Sequence, residues 1–198
     1  MSAGSQMHGK HARNAPALNA NERFIIKLYP VVRQVAKRTG MSWKLMLVQA
    51  AQETGWGTKV LPGTNNLYNV KAYGGWHGSS KTFKVSEFEG GKKVWVEQPF
   101  RVYSSHEDSL NDRVAFLRSN QRYRAAGLFD AGIKGDLRKE AAALQKGHYA
   151  TDPHYAAHIV ELFEGATMQR ALKEVQAHEA PPVPAPAPRS AAPAARLP

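Results

Sequence analysis

Read for hydrophobic spacing, the chain divides into helical blocks on either side of one alternating stretch. In residues 22 to 39, Phe24, Leu28, Val31, Val32 and Val35 gather near one face of a helix. Gly40 stands where a C-terminal cap belongs, and Pro30 is expected to split or kink the middle. Ser42 is a good N-cap for a second helix. There Trp43, Met46, Leu47 and Ala50 recur at i, i+3, i+4 and i+7 until Gly55 can end it. A loop rich in Gly, Asn and Tyr follows, to about residue 80. Residues 82 to 88 and 93 to 103 are rich in Val, Phe and Trp with partial alternation, and Glu89-Gly90-Gly91-Lys92 between them predicts a β-hairpin. Ser104 and Ser105 precede Glu107 and Asp108 in a capping-box pattern, opening a helix to about residue 119. Asp130 or Asp136 can cap the next, which ends near Gly147. Asp152 can cap a last helix with Pro153 as its first residue, continuing toward Val175.

Helices, then a strand pair, then helices again predict an α+β domain, mainly α, over residues 22–175. Residues 1–21 are small, polar and basic without period, and residues 176–198 run into alternating Pro and Ala, so both ends read as disordered tails.

Composition narrows the class. The chain of 198 residues is 42% hydrophobic and 22% charged, ordinary for one globular domain. No apolar run reaches the roughly 18–20 residues of a membrane span, and the first two dozen residues hold no apolar signal-peptide core. The absence of cysteine removes disulfide scaffolds, thiol nucleophiles and cysteine zinc sites together. A net charge of +11, most of it in the body of the chain, implies a polyanionic partner or surface: nucleic acid, anionic lipid or bacterial wall.

Glu53 is the residue out of place. It lies three positions after Ala50 and seven after Met46, on the apolar stripe and in the last turn of the second helix. Burial disfavours its charged form, and so does the negative end of the helix dipole, so its pKa should be raised. A glutamate protonated near neutrality is a general acid. Glycosidic bond cleavage asks for such an acid and usually for a second carboxylate across the sugar. Glu87 and Glu89, two apart on the first strand and therefore on one face, are the candidates. Between the carboxylates Trp56, Tyr68, Tyr73 and Trp76 supply flat faces, and Asn65, Asn66 and Asn69 supply amides, a combination that suits sugar rings and N-acetyl groups. Stacked aromatics also bind bases, but no nucleic-acid motif accompanies them and the basic residues are spread through the body. His154 and His158, with Glu161 one turn on, have the spacing of zinc ligands. Tyr155 stands where H-E-x-x-H requires glutamate and no third ligand is evident, so no metal and no cofactor is expected.

The motifs carry a resemblance. Gln52-Glu53-Thr54-Gly55-Trp56-Gly57 resembles the E-S-G-W-G signature of the glycoside hydrolase family 73 β-N-acetylglucosaminidases. In the family's order, Asn66-Leu67-Tyr68-Asn69-Val70-Lys71 is similar to N-L-F-G-I/V-K, and Ser86-Glu87-Phe88-Glu89 to T-E-Y/F-E. Phe100-Arg101-Val102-Tyr103-Ser104-Ser105 is similar to F-R-x-Y-x-S, and Tyr149-Ala150-Thr151-Asp152-Pro153-His154-Tyr155-Ala156 to Y-A-T-D-P-x-Y-A. Five motifs in register, within a match from about Phe24 to Lys173, make the resemblance specific.

The resemblance implies a lysozyme-like fold with a small β-hairpin lobe, cutting peptidoglycan glycan strands after N-acetylglucosamine. It places the catalytic acid on Glu53, the second carboxylate on Glu87 rather than Glu89, and an active-site tyrosine on Tyr149. Trp56, Asn66, Tyr68, Tyr73, Trp76 and Tyr155 are the expected substrate contacts. Thr54 replaces the common serine, Tyr68-Asn69 replaces Phe-Gly, and His158 stands where a basic Lys or Arg is usual, so subsite contacts are expected to differ. A monomeric, stand-alone hydrolase is expected, acting in the periplasm or cell wall and reaching it by a specialised secretion system or phage lysis. A muramidase on the same fold and a basic glycan- or nucleic-acid-binding module are the alternatives.

Overall fold

In the computed structural model, residues 16–179 are described; the greater part of each expected tail lies outside them. The first helix, α1 (Ala20–Thr39), opens on a reciprocal capping box. The Asn19 side chain accepts the Glu22 amide while the Glu22 carboxylate accepts the Asn19 amide. It closes at Gly40 with φ 70°, the left-handed conformation anticipated there. Pro30 neither splits nor ends it. The ring lies on the exposed face, where water can satisfy the carbonyl that loses its partner. The face that faces inward is also turned from the expected one: Ile25, Leu28, Tyr29, Val32 and Val35 are buried, while Phe24 and Val31 pack only partly against the core.

Helix α2 (Trp43–Glu53) starts where Ser42 Oγ accepts the Leu45 amide. Seven consecutive residues from Leu45 to Ala51 are buried, so this helix is enclosed rather than laid on a surface. It packs against α1, α5 (Leu137–Lys146) and α6 (Tyr155–Glu164). The strands β1 (Ser80–Glu89) and β2 (Lys92–Arg101) form an antiparallel hairpin in which Glu89 pairs with Lys92. The two-residue turn is Gly90-Gly91, both at positive φ, which matches the right-handed twist of the strands. Residues 70 to 72 run alongside β2 through an isolated bridge between Lys71 and Phe100.

After the hairpin, α3 (His106–Ser119) is capped by Ser105, which accepts the Asp108 amide. A short α4 (Gln121–Ala125) follows, which periodicity could not find in five residues. Asp136, not Asp130, caps α5, taking the amides of Arg138 and Lys139. The expected single last helix is two: α6 begins at Tyr155 rather than Pro153, and Gly165, with φ −63° and ψ 152°, separates it from α7 (Ala166–Glu179). Asp152 still accepts the His154 amide, but as part of the turn that precedes the helix. α1 thus begins two residues before the expected domain limit and α7 ends four after it. No helix among the described residues is long and apolar enough to cross a membrane.

Candidate active site

Glu53 is the last residue of α2, and the chain beyond it is arranged to turn sharply without covering it. Gly55 takes φ 52°, its amide reaches the Gln52 carbonyl, and the Trp56 amide reaches back to the Ala51 carbonyl at 2.8 Å, the paired bonds of a Schellman ending. Thr54 is fully buried. Its hydroxyl donates to the Ala50 carbonyl at 2.6 Å and accepts the Gly57 amide at 2.8 Å, bonds that serine could make equally, so the Thr-for-Ser departure is accommodated. Gly57, at φ 87°, passes against the Phe24 ring so closely that a Cβ would stand 2.3 Å from it. The carbonyl of Glu53, one of those a helix leaves without a partner, accepts the Asn69 side-chain amide at 2.7 Å. Asn69 sits at φ 48°, which asparagine tolerates, so it stands where the family has glycine and ties the next loop to the end of α2.

The Glu53 carboxyl opens into a cavity of about 320 Å³ lined also by Tyr68, Val70, Arg113, Phe116, Arg122, Tyr123, Tyr149 and Ala150. Burial pushes its pKa up. The Arg113 charge pulls it down, as does the hydrogen bond that the Tyr149 hydroxyl donates to Oε1 at 3.4 Å, and burial is the larger effect. Tyr149 has its own pKa raised to about 12, chiefly by burial, so its phenol remains a donor at neutral pH. Arg113 is only 3% exposed. Its guanidinium lies against three aromatic faces, at 4.3 Å from Tyr149, 5.4 Å from Tyr68 and 5.5 Å from Phe116, and donates to Gln49 Oε1 at 3.3 Å. Gln49 in turn donates to the Tyr155 hydroxyl at 2.7 Å, and the Tyr155 ring packs 5.3 Å from that of Tyr149. The chain from Tyr155 through Gln49 to Arg113 fixes the wall behind the acid.

Glu87 lies in a second cavity of about 470 Å³, with Lys59, Leu61, Asn69, Lys71, Val85, Ser86 and Phe100. Lys71 is ion-paired with it. The strand-like run at residues 70 to 72 is what sets Lys71 beside the hairpin. Glu53 and Glu87 therefore line two different cavities, linked through Asn69, which lines the second and is bonded to the backbone of the acid in the first.

The other expected contacts divide. Tyr68 lines the Glu53 cavity with its ring while its hydroxyl donates to the Met46 carbonyl at 3.2 Å. Tyr73 is exposed. Trp76 is half-buried in the lobe, its indole N–H donating to the Ser79 carbonyl and its face covered by the Arg101 guanidinium at 4.4 Å. Trp56 is half-buried against the core and lines neither cavity. Asn66, expected to meet sugar, is instead fully buried. Its amide donates to the carbonyls of Val70 and Arg101 and its oxygen accepts the amides of Tyr68 and Val70, which shapes the loop. Tyr155 is 2% exposed and stands behind Tyr149 rather than beside a ligand. His154 is the N-cap residue of α6, and its ring lies 6.2 Å from that of His158, so the two histidines are neighbours. His158 pairs with Asp152 at 2.9 Å, and among the described residues no three ligands gather for a metal.

Sequence reading missed Arg113, Asn69 as an anchor, and Lys71. For Arg113 the signal was present: Leu110, Arg113, Val114 and Leu117 fall on one buried face of α3, the same anomaly that singled out Glu53.

A half-buried acid at a helix end, bonded to a phenol and under the charge of a buried guanidinium, defines a glycosidase-like site on a lysozyme-like helical fold. The chain belongs to the Glucosaminidase family, described as mannosyl-glycoprotein endo-β-N-acetylglucosaminidase, whose pattern it matches over residues 29–167. It is 37% identical over 145 residues to the peptidoglycan hydrolase FlgJ of Vibrio parahaemolyticus, covering 71% of this chain but 46% of that protein, so it spans less than half the length of that relative. The glycoside hydrolase domain of Salmonella typhimurium FlgJ superposes with a TM-score of 0.63 at 32% identity, covering 80% of this chain and 94% of that domain. A peptidoglycan hydrolase mutant from Sphingomonas sp. A1 superposes with a TM-score of 0.63 at 29% identity, covering 77% and 99%.

Proposed function

We propose that this chain hydrolyses peptidoglycan, cutting the glycan strand after N-acetylglucosamine with Glu53 as general acid. The observation that carries the reading is the Glu53 carboxyl, raised in pKa by burial, at the open end of an aromatic cavity and within reach of the Tyr149 hydroxyl. A protonated carboxyl there can deliver its proton to the departing glycosidic oxygen. Tyr149 steadies the carboxylate left behind and hydrogen-bonds near the N-acetyl group, a role its bond to Glu53 supports. Arg113 limits the rise in pKa, so that the spent acid is not trapped in an unfavourable charge state. Glu87, in the β-lobe and ion-paired with Lys71, activates water or steadies the oxocarbenium charge. The site of action is the cell wall, outside the cytoplasmic membrane. Membership of the family and similarity to peptidoglycan hydrolases over most of the chain support the substrate class.

The test is to incubate the protein and its Glu53→Gln variant with purified peptidoglycan, reduce the products with borohydride and identify the reduced ends by mass spectrometry. Reduced N-acetylglucosamine ends from the wild type alone are the expected result. Reduced N-acetylmuramic acid ends would reassign the bond, and equal activity in both proteins would remove Glu53 from the mechanism.

A further inference from the structure

Four basic residues that stand apart in the sequence are brought together by the fold at the far end of α2. A cleft of about 680 Å³ there is lined by Arg33 and Lys37 of α1, Lys44 of α2 and Lys134 of the loop before α5, with no carboxylate among its lining residues. None of the four is in an ion pair among the described residues, whereas the ion pairs that do form engage cations elsewhere. Two of the four are already held. The Arg33 guanidinium lies 5.3 Å from the Trp43 ring centroid and 5.8 Å from that of Tyr29, and Lys44 Nζ donates to the Gly135 carbonyl at 3.3 Å. Gly40 lets the fourth approach: a Cβ there would touch Lys134 Nζ at 3.5 Å. Of the acids near this loop, Asp136 caps α5 and pairs with Lys139, Glu140 accepts the Gly135 amide, and Asp130 lines a separate cavity that Lys134 also borders.

We infer that this cleft binds a phosphodiester polyanion, of the polyol-phosphate or phosphosugar class, independently of the glycan in the active site. Four uncompensated cations around one concave space suit closely spaced phosphates better than a single carboxylate, and the stacked guanidinium presents the planar fork that phosphate accepts. The volume is that of a small-molecule site rather than of one inorganic phosphate. A bilayer is disfavoured as the occupant. The surface is concave, and Trp43, the one indole present, is packed edge-on against Tyr29 and Phe163 instead of protruding. The eleven residues of α2, from Trp43 to Glu53, put about 16 Å of helix between the cleft and the acid, so both ligands can be held at once. Such a cleft would keep the protein on an anionic wall while the active site moves between strands.

The experiment is titration of the full chain with a poly(glycerol phosphate) of defined length, at low and moderate salt. Lys37→Gln/Lys134→Gln is compared with Lys84→Gln/Lys92→Gln, which removes the same charge from the hairpin. Expected are a loss of about tenfold in affinity for the first pair, a change of less than about twofold for the second, and retention of binding in Lys37→Arg/Lys134→Arg. Equal losses in the two glutamine pairs would overturn the site in favour of diffuse charge. Binding of duplex DNA or of phosphatidylglycerol vesicles that depends on the cleft while poly(glycerol phosphate) binding does not would overturn the ligand class. Binding is read without turnover, so the result stands whether or not the protein proves to be a glucosaminidase.

Discussion

The guanidinium of Arg113 lies 4.3 Å from the ring centroid of Tyr149, so the phenol that reaches Glu53 is backed by a buried positive charge. The state of the acid is therefore a balance. Burial raises its pKa, and Arg113 and Tyr149, in that order, pull it back. Arg113→Met should move the alkaline limb of the pH–rate profile to higher pH, and Arg113→Lys should move it less. Tyr149→Phe should shift it in the same direction as Arg113→Met by a smaller amount, with kcat reduced about 10- to 100-fold because a hydrogen bond to a charged group is lost. Profiles measured on one soluble glycan fragment would check all three; a limb that stays put in Arg113→Met would mean that the charge is not felt at Glu53.

The same balance makes a statement about folding. A carboxyl whose folded pKa lies above its unfolded value holds more protons in the native state between the two values. Its contribution is intact below the unfolded pKa and is lost as pH rises through the folded one. Glu53→Gln removes that loss. The variant should be more stable than the parent near neutrality, with the advantage shrinking toward acid pH, while activity falls by ~10²–10⁴-fold. Denaturant midpoints at pH 4 and pH 7 decide it: an advantage that is equal at both, or larger in acid, contradicts the burial of this group as the source of its shift.

How far the sequence reached depended on the kind of residue. Helix ends with side-chain caps, at Ser42, Ser105 and Asp136, and the Gly90-Gly91 turn were legible because the chemistry is local. The break at Gly165 was not: apolar residues recur on both sides of it, in Tyr155–Glu164 and Ala166–Glu179, and a single glycine does not by itself end a helix. In the site, Glu53 was legible as a charge on an apolar stripe. Asn66 and Tyr155 were misplaced as surface contacts because amides and phenols look alike in sequence whether they meet a ligand or hold a loop. The ion pair of Lys71 with Glu87 joins residues sixteen apart through a bridge to β2, which no spacing rule encodes.

That pair makes a kinetic prediction. If Lys71 acts through Glu87 by holding its carboxylate, Glu87→Gln should reduce kcat by about 10²-fold with little change in KM, and Lys71→Met should reduce it less. Adding Lys71→Met to Glu87→Gln should then cost nothing further, because the partner it positions is gone. A double-mutant cycle on kcat measures this coupling. Fully additive losses would show that Lys71 meets the substrate on its own account, and an unchanged kcat in Glu87→Gln would take the second carboxylate out of the reaction.

Gly57 tests whether the turn after the acid is fixed by backbone conformation or by packing. Its φ of 87° disfavours any side chain, and a Cβ would stand 2.3 Å from the Phe24 ring. Gly63, at φ 74°, carries a similar conformational cost but has open space around it. Gly63→Ala should therefore cost about 1–2 kcal/mol, the usual penalty for a left-handed alanine. Gly57→Ala adds overpacking and should cost about 2–5 kcal/mol in all. Phe24→Leu in the Gly57→Ala background should recover part of the excess by vacating the space the new methyl needs, whereas the same change in the parent removes packing and destabilises. Thermal or urea melts of these four variants and the parent give the comparison. Equal costs at Gly57 and Gly63 would mean that the Phe24 ring yields freely, and that the turn after Glu53 is held by backbone geometry alone.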